Sequence, residues 1–299
     1  MPSYHKESIV HIVYIPFTGI GTGDFFRNDE WLEYRIRFFI AYTLQSLKFQ
    51  TNKNFMIWLS FRPEDEGHYL LQGLFKALKE ANLSYISTYD GLMYYDDKFS
   101  SEPVKIFKNI LRIVRGCNRI KQWNILIPSV KGILKNKNLT LVSRVGNSVK
   151  QLEKYLHGVN WVYLTRLDSD DMLHKDAIDS IQKIEPHFHH AISFKNGWIY
   201  NTNTGDVAHY TPNENPPFHT IMFPGGVFFN PDAHVFYYDS FQSHEDIPKI
   251  FKTTEINGMY CVNIHSLHNQ ISTIWDHPFR GELVTNPSEI LTQFGLPFN

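Results

Sequence analysis

The stretch Trp161-Val162-Tyr163-Leu164-Thr165-Arg166-Leu167-Asp168-Ser169-Asp170-Asp171 (WVYLTRLDSDD) drives an apolar, β-branched and aromatic run into three carboxylates within four residues. Its first seven residues have the length and composition of a buried strand. Leu173, Ala177, Ile178, Ile181 and Ile184 then follow at helical spacing up to Pro186, so Asp170 or Asp171 is expected to cap that helix. One cap cannot account for three acids. Asp168 and Asp170 flank Ser169 and can converge on one point at the strand tip, where they repel unless a cation or a shared proton compensates. A hard divalent ion suits such oxygen ligands, and Mg²⁺ or Mn²⁺ commonly takes one or two carboxylates plus substrate phosphates. An EF-hand is excluded, because Leu173 stands where glycine is needed and no glutamate closes the loop. A phosphoaspartyl hydrolase fits poorly, since its nucleophile normally follows the first strand and is trailed by threonine.

Working outward, the preceding chain alternates strand and helix. Ile9 to Ile15 (IVHIVYI) reads as a buried first strand stopped by Pro16, and the glycines of Thr18 to Gly23 lack the spacing of a phosphate-binding motif. Trp31 to Leu47 carries Ile36, Phe39, Ile40, Thr43, Leu44 and Leu47 on one helical face. A second strand is expected over Asn54 to Ser60, a helix over His68 to Ala81 and a third strand over Leu83 to Ser87. This rhythm implies parallel βαβ units. Beyond the acids, Ala191–Phe194, Gly197–Tyr200 and Gly226–Phe229 read as short strands. The expectation is one domain over 1–299 built on one continuous, mixed but mostly parallel sheet flanked by helices.

The bulk numbers describe an ordinary globular protein: 299 residues, 42% hydrophobic and 20% charged. The 15% aromatic share, with 23 Phe and 16 Tyr, is first of all core material. Two cysteines, Cys117 and Cys261, make neither a disulfide framework nor a zinc motif and favour a reducing compartment. The N-terminus has no signal-peptide pattern and no window reads as a membrane span, so a cytoplasmic protein is expected, peripheral to a membrane at most. The net charge of −1 conceals an insertion at about 98–150, read as mainly helical, with twelve Lys/Arg against the single acid Glu102. Its net +11 leaves the other residues near −12. Such a block can meet phosphates, an anionic acceptor or an anionic membrane surface, or form a solvated helical face; without RNA-binding motifs, no nucleic-acid partner is expected.

The strand-then-RLDSDD element, past mid-chain with βαβ units before it, resembles the DxD motif of GT-A fold glycosyltransferases. More narrowly, the chain resembles the rhamnosyltransferase family of bacterial and viral genomes. The likeness is carried by Arg37-Phe38, Thr43-Leu44-Gln45-Ser46-Leu47, Gln50-Thr51, Asn54-Phe55, Thr165 to Asp171, Ser193-Phe194-Lys195-Asn196-Gly197 and Pro217-Phe218-His219-Thr220. It implies a nucleotide-diphospho-sugar transferase fold and a UDP- or TDP-sugar donor, with its diphosphate bridged to Asp170 through Mn²⁺ or Mg²⁺. A glycan or lipid-linked glycan would be the acceptor.

By the same resemblance Asp168 faces the ribose or sugar, and Asp171 touches the metal or caps the helix. Arg166 either pairs with phosphate or orients Asp168. Phe17 and Thr18 after the first strand, Arg62 after the second and Asp90 after the third fall where such enzymes cradle the nucleotide. Inverting transfer needs a base, and Asp246, with Glu245 beside it, resembles the late acidic motif that supplies one. His268 resembles the late metal or diphosphate histidine, with His265 in reserve; His187, His189 and His190 read as structural. Two other classes remain: a metal-dependent nucleotidyltransferase or phosphohydrolase using the same acids, and a non-catalytic sugar-binding protein.

Overall fold

The computed structural model describes residues 9–18, 28–62, 65–89, 151–156, 158–212, 218–229, 247–265, 275 and 280–297. The basic insertion lies outside them. Parallel strands β1 (Ile9–Pro16), β2 (Met56–Ser60) and β3 (Tyr85–Thr88) alternate with helices α1 (Asp29–Ala41), α2 (Thr43–Lys48) and α3 (Leu71–Glu80). Strand β4 (Trp161–Arg166) lies parallel to β1 on its other side, with Tyr14 opposite Arg166. β1 is apolar except for His11 because both of its faces are covered. Val13 and Ile15 pack with Leu32, Ile36 and Phe39 of α1 and Leu74 and Leu78 of α3, while Ile12 and Tyr14 pack with Trp58, Leu152, Val162 and Leu164 on the opposite side.

Past the acids come β5 (Met172–Leu173), α4 (Ala177–Gln182), β6 (His190–Phe194), β7 (Gly197–Asn201), β8 (Val207–Tyr210), β9 (His219–Pro224) and α5 (Gly225–Phe228). They are followed by α6 (Ile247–Ile250), β10 (Lys252–Ile256), β11 (Tyr260–Ile264), β12 (Arg280–Leu283) and α7 (Pro287–Thr292). The described strands form two sheets, not the single one expected: a seven-stranded sheet β10-β6-β9-β4-β1-β2-β3 and a five-stranded sheet β12-β8-β7-β11-β5. In the larger sheet only β9 runs antiparallel, between β4 and β6.

Two of the passages between the sheets run side by side. β6 and β10 pair in the larger sheet, and β7 and β11, which directly follow them, pair in the smaller one. Backbone bonds from Lys195 N to the Ile256 carbonyl (2.9 Å) and from Gly258 N to the Asn196 carbonyl (2.7 Å) fasten the crossing. Gly197 sits where it is tightest; a Cβ there would lie 2.7 Å from the Tyr260 carbonyl oxygen and ring.

Three local expectations are corrected. The helix foreseen over 31–47 breaks at Tyr42 (φ −122°, ψ −68°), and the reoriented α2 packs against the loop after β4. Gly226 to Phe229 is mostly helical, not strand: the short turn of α5 begins at Gly225, where a Cβ would lie 1.9 Å from the Val159 carbonyl. Neither Asp170 nor Asp171 caps α4, which starts only at Ala177 after Asp176, because Met172 and Leu173 first pair as a strand with Cys261 and Tyr260. Among the described residues no helix is long and apolar enough to cross a membrane.

Candidate functional site

The chain order places a topological switch point between β1 and β4. From β1 the next strands proceed through β2 to β3 on one side, whereas β4 and its neighbours lie on the other. In open α/β sheets the crevice at the carboxyl ends of two such strands is where ligands bind. Phe17 and Thr18 leave β1 at that edge, and Leu167 to Asp171 leave β4 beside them, joined by Leu167 N donating to the Tyr14 carbonyl at 3.0 Å.

The segment after β4 is clamped from α2 and from the residues just after it. Thr43 Oγ1 donates to the Ser169 carbonyl (3.1 Å), and Ser46 Oγ accepts from Leu173 N (3.2 Å). Gln50 donates to the His174 carbonyl (2.8 Å) and accepts from Ile178 N (3.2 Å), and Thr51 N donates to the Lys175 carbonyl (2.8 Å). A loop crowded with like charges is thus fixed largely by neutral bonds to its backbone.

The three acids then diverge. Asp168 Oδ1 accepts from Arg166 Nη2 at 3.0 Å, so Arg166 orients Asp168. Asp171 is buried, and its Oδ1 accepts from Asn263 N at 2.9 Å. Burial first, then the neighbouring charges of Asp170 and Asp168, hold its carboxyl well above the usual carboxylate range. Asp170 is 8% exposed and meets two residues from distant parts of the chain. Arg35 Nη1 of α1 lies 3.5 Å from Oδ2, and His265 Nε2, just past β11, lies 3.2 Å from the same oxygen. With Asp170 ionised, the second contact is a hydrogen bond donated by Nε2–H. Tyr34 and Phe38 pack on the His265 ring, with centroids 5.5 and 4.2 Å away. Burial, then Tyr42 and Asp170, push the Tyr34 hydroxyl pKa up. Asn263 Nδ2 donates to the Asp170 carbonyl at 2.6 Å, so Asn263 holds Asp170 through its side chain and Asp171 through its backbone N–H.

On the β1 side the Phe17 ring is core, in contact with Phe39 and Phe61, and only its backbone faces the crevice residues: the carbonyl accepts from Arg35 Nε at 3.1 Å. Thr18 Oγ1 donates to Asp65 and accepts from Arg62 N at 2.9 Å. Asp65, 1% exposed, also takes the Arg62 guanidinium as a fork, Nε at 3.1 Å and Nη2 at 2.7 Å. Thr18, Arg62 and Asp65 therefore form one rigid unit at the ends of β1 and β2. Asp90, Glu245, Asp246 and His268 lie outside the described residues.

Sequence reasoning did not single out Arg35, Asp65 or Asn263. Arg35 carried a signal, because it falls in the apolar register of α1 with Leu32, Ile36 and Phe39, where an unpartnered guanidinium would be costly. Asn263 carried another, a polar side chain inside the buried run of β11. Nothing in the sequence separates Asp65 from its acidic neighbours Glu64 and Glu66.

No family model matches this chain, and no curated protein matches it either. Among solved structures it is similar to the inositol-1-phosphate CTP transferase from T. maritima, at a TM-score of 0.35 and 10% identity over 97% of this chain and 98% of that one. A likeness this distant assigns no chemistry.

Proposed function

We propose that the protein is a metal-dependent glycosyltransferase of GT-A type fold, which moves a sugar from a UDP- or TDP-activated donor to a hydroxyl of a glycan or lipid-linked acceptor. The family resemblance favours rhamnose. The observation that carries the reading is Asp170: a nearly buried carboxylate at the switch point of a mostly parallel sheet, flanked by the preformed Thr18–Arg62–Asp65 unit. A purely structural aspartate would not require a loop clamped by four residues of another helical segment and a histidine from the far end of the chain.

Among the described residues no three His, Cys, Asp or Glu side chains gather into a ready cation cage. Asp170 Oδ2 and His265 Nε2, 3.2 Å apart, supply two donors, which fits an ion that draws the rest of its shell from a diphosphate and water. His265 is thus the histidine assigned to the ion. When bound, Mn²⁺ or Mg²⁺ would neutralise charge developing on the departing nucleoside diphosphate. Asp168, aimed by Arg166, receives a hydroxyl of the ribose or sugar. Thr18 and Arg62 hold the nucleotide, with Asp90 accepting from the base. Asp246, or Glu245 beside it, takes the proton from the acceptor hydroxyl. The basic insertion, with its twelve Lys/Arg, approaches an anionic acceptor or membrane surface.

Thermal-shift titration with UDP and TDP, with and without Mn²⁺, tests the reading. The expected result is stabilisation that Mn²⁺ strengthens, and that strengthening disappears in Asp170→Asn. No response to any nucleoside diphosphate refutes it. Product analysis over a panel of nucleotide sugars separates the nearest rival: a nucleotidyltransferase releases pyrophosphate, whereas sugar transfer releases the nucleoside diphosphate.

A further inference from the structure

Arg35 is 6% exposed and belongs to neither lip of the crevice, yet it touches both. Its Nε donates to the Phe17 carbonyl beyond β1 at 3.1 Å, and its Nη1 faces Asp170 beyond β4 at 3.5 Å. The Trp31 ring lies under the guanidinium, 5.3 Å from centroid to Cζ. These three contacts are unequal. Charge-assisted N–H···O bonds run about 2.7–2.9 Å, and Arg62–Asp65 (2.7 Å) falls in that range while Arg166–Asp168 (3.0 Å) comes close to it. The Arg35–Asp170 pair is looser than either. The guanidinium is therefore anchored by a backbone carbonyl and an aromatic face, and it neutralises Asp170 without saturating it. It would stay in place if another cation took the carboxylate.

We propose that Arg35 is the exchangeable counterion of the site. In the empty crevice it balances Asp170; on loading, a divalent cation takes Asp170 Oδ2, and the guanidinium, still fixed by Phe17 and Trp31, turns its charge to the diphosphate of the donor. This rests on reading the crevice as a nucleoside-diphosphate site. Cation and nucleotide binding are then coupled through one side chain. A cation alone meets the opposing charge of Arg35, and a diphosphate alone must compete with Asp170 for it. Arg35 is a positioning residue for Asp170 in the first state and a substrate contact in the second.

The test measures the two ligands separately on the full chain: Mn²⁺ by electron paramagnetic resonance without nucleotide, and UDP or TDP by calorimetry in EDTA. In Arg35→Met, Mn²⁺ affinity should rise about tenfold or more, because a full charge within a few ångströms is removed. Metal-free nucleotide affinity should fall by a similar factor. Arg35→Lys should return Mn²⁺ affinity close to wild type, since the charge is kept, and recover only part of the nucleotide affinity, since the fork is lost. Asp170→Asn gives the mirror image: weaker Mn²⁺ binding and stronger metal-free nucleotide binding. It decides the matter if Arg35→Met does not fold. A loss of both affinities in a folded Arg35→Met, or no change in either, overturns the proposal. If wild type binds neither UDP nor TDP even with Mn²⁺ present, the glycosyltransferase reading fails, and the Mn²⁺ arm alone still decides whether Arg35 opposes cations at Asp170.

Discussion

His11 should make the stability of this protein fall steeply in mild acid. It lies in β1, 2% exposed, at the start of a chain of bonds crossing three strands. Gln182 Nε2 donates to His11 Nδ1 (3.2 Å), His11 Nε2 donates to Thr165 Oγ1 (2.7 Å), and Thr165 Oγ1 meets Thr220 Oγ1 at 2.6 Å. The Gln182 amide cannot turn over to accept, because its Nε2 also donates to the Asn54 carbonyl (2.8 Å) and its Oε1 accepts from Asn52 (3.1 Å). A second proton on His11 would therefore face an N–H donor in a buried site.

Burial accordingly pushes the His11 pKa down from 6.5 to about 3. A depressed pKa in a base means that the unfolded chain binds the extra proton first, so stability is complete above pH 6.5 and is lost as pH falls towards 3. At about 1.4 kcal/mol per pH unit, the whole window amounts to roughly 5 kcal/mol, comparable with the total stability of many domains. Urea unfolding followed by tryptophan fluorescence at pH 7.5, 6.5, 5.5 and 4.5 should show wild type losing about this slope per unit below 6.5. His11→Gln should be less stable at neutral pH and markedly flatter across the series. Parallel curves for the two proteins, or an NMR titration of His11 near 6.5, would refute the account.

Asp65→Ala should destabilise by about 2–4 kcal/mol, since it strips the partly exposed Arg62 fork and the Thr18 hydroxyl of their acceptor, and Asp65→Asn by less; urea midpoints at constant m-value read both. Asn263→Ala should cost about 1–2 kcal/mol through the lost bond to the Asp170 carbonyl, and should weaken the Mn²⁺-dependent nucleotide shift, measured by thermal melting. Gly197→Ala should cost about 1–3 kcal/mol or more, because its Cβ meets backbone as well as ring atoms of Tyr260 at the crossing between sheets; an unchanged melting temperature would show that crossing to be looser than described.

What the sequence disclosed of the fold depended on how each strand is covered. β1, β2 and β4 are buried on both faces, so their apolar runs stand out, and α1 and α3 show their buried stripes by period. β10 (KTTEI) lies at the edge of the larger sheet with no fully buried residue, and β12 (RGEL) is mostly exposed; neither could be read from hydrophobicity. The separation into two sheets was hidden for a different reason. It turns on Lys195 and Asn196, where successive strands leave one sheet for the other, and only the pairing of β10 and β11 with β6 and β7 reveals it.

The candidate site divides along the same line between local and distant. The DSDD cluster was legible as a conflict of charge, but its resolution was not, because each carboxylate is answered from a different place. Arg166, two residues away, answers Asp168; β11 answers Asp171 through a backbone N–H; and Asp170 meets Arg35 and His265, 135 and 95 residues distant. Those separations explain why Thr43, Ser46 and Gln50 matter. Long-range partners can meet one carboxylate only if its loop is already immobile, and the three side chains immobilise it through backbone atoms alone. The acids differ in function because they differ in partner: one is fixed by a neighbour, one is buried as a structural tie, and one is held by a loose cation. Only the last can exchange that cation for another, which is why the chemistry proposed for this chain centres on Asp170.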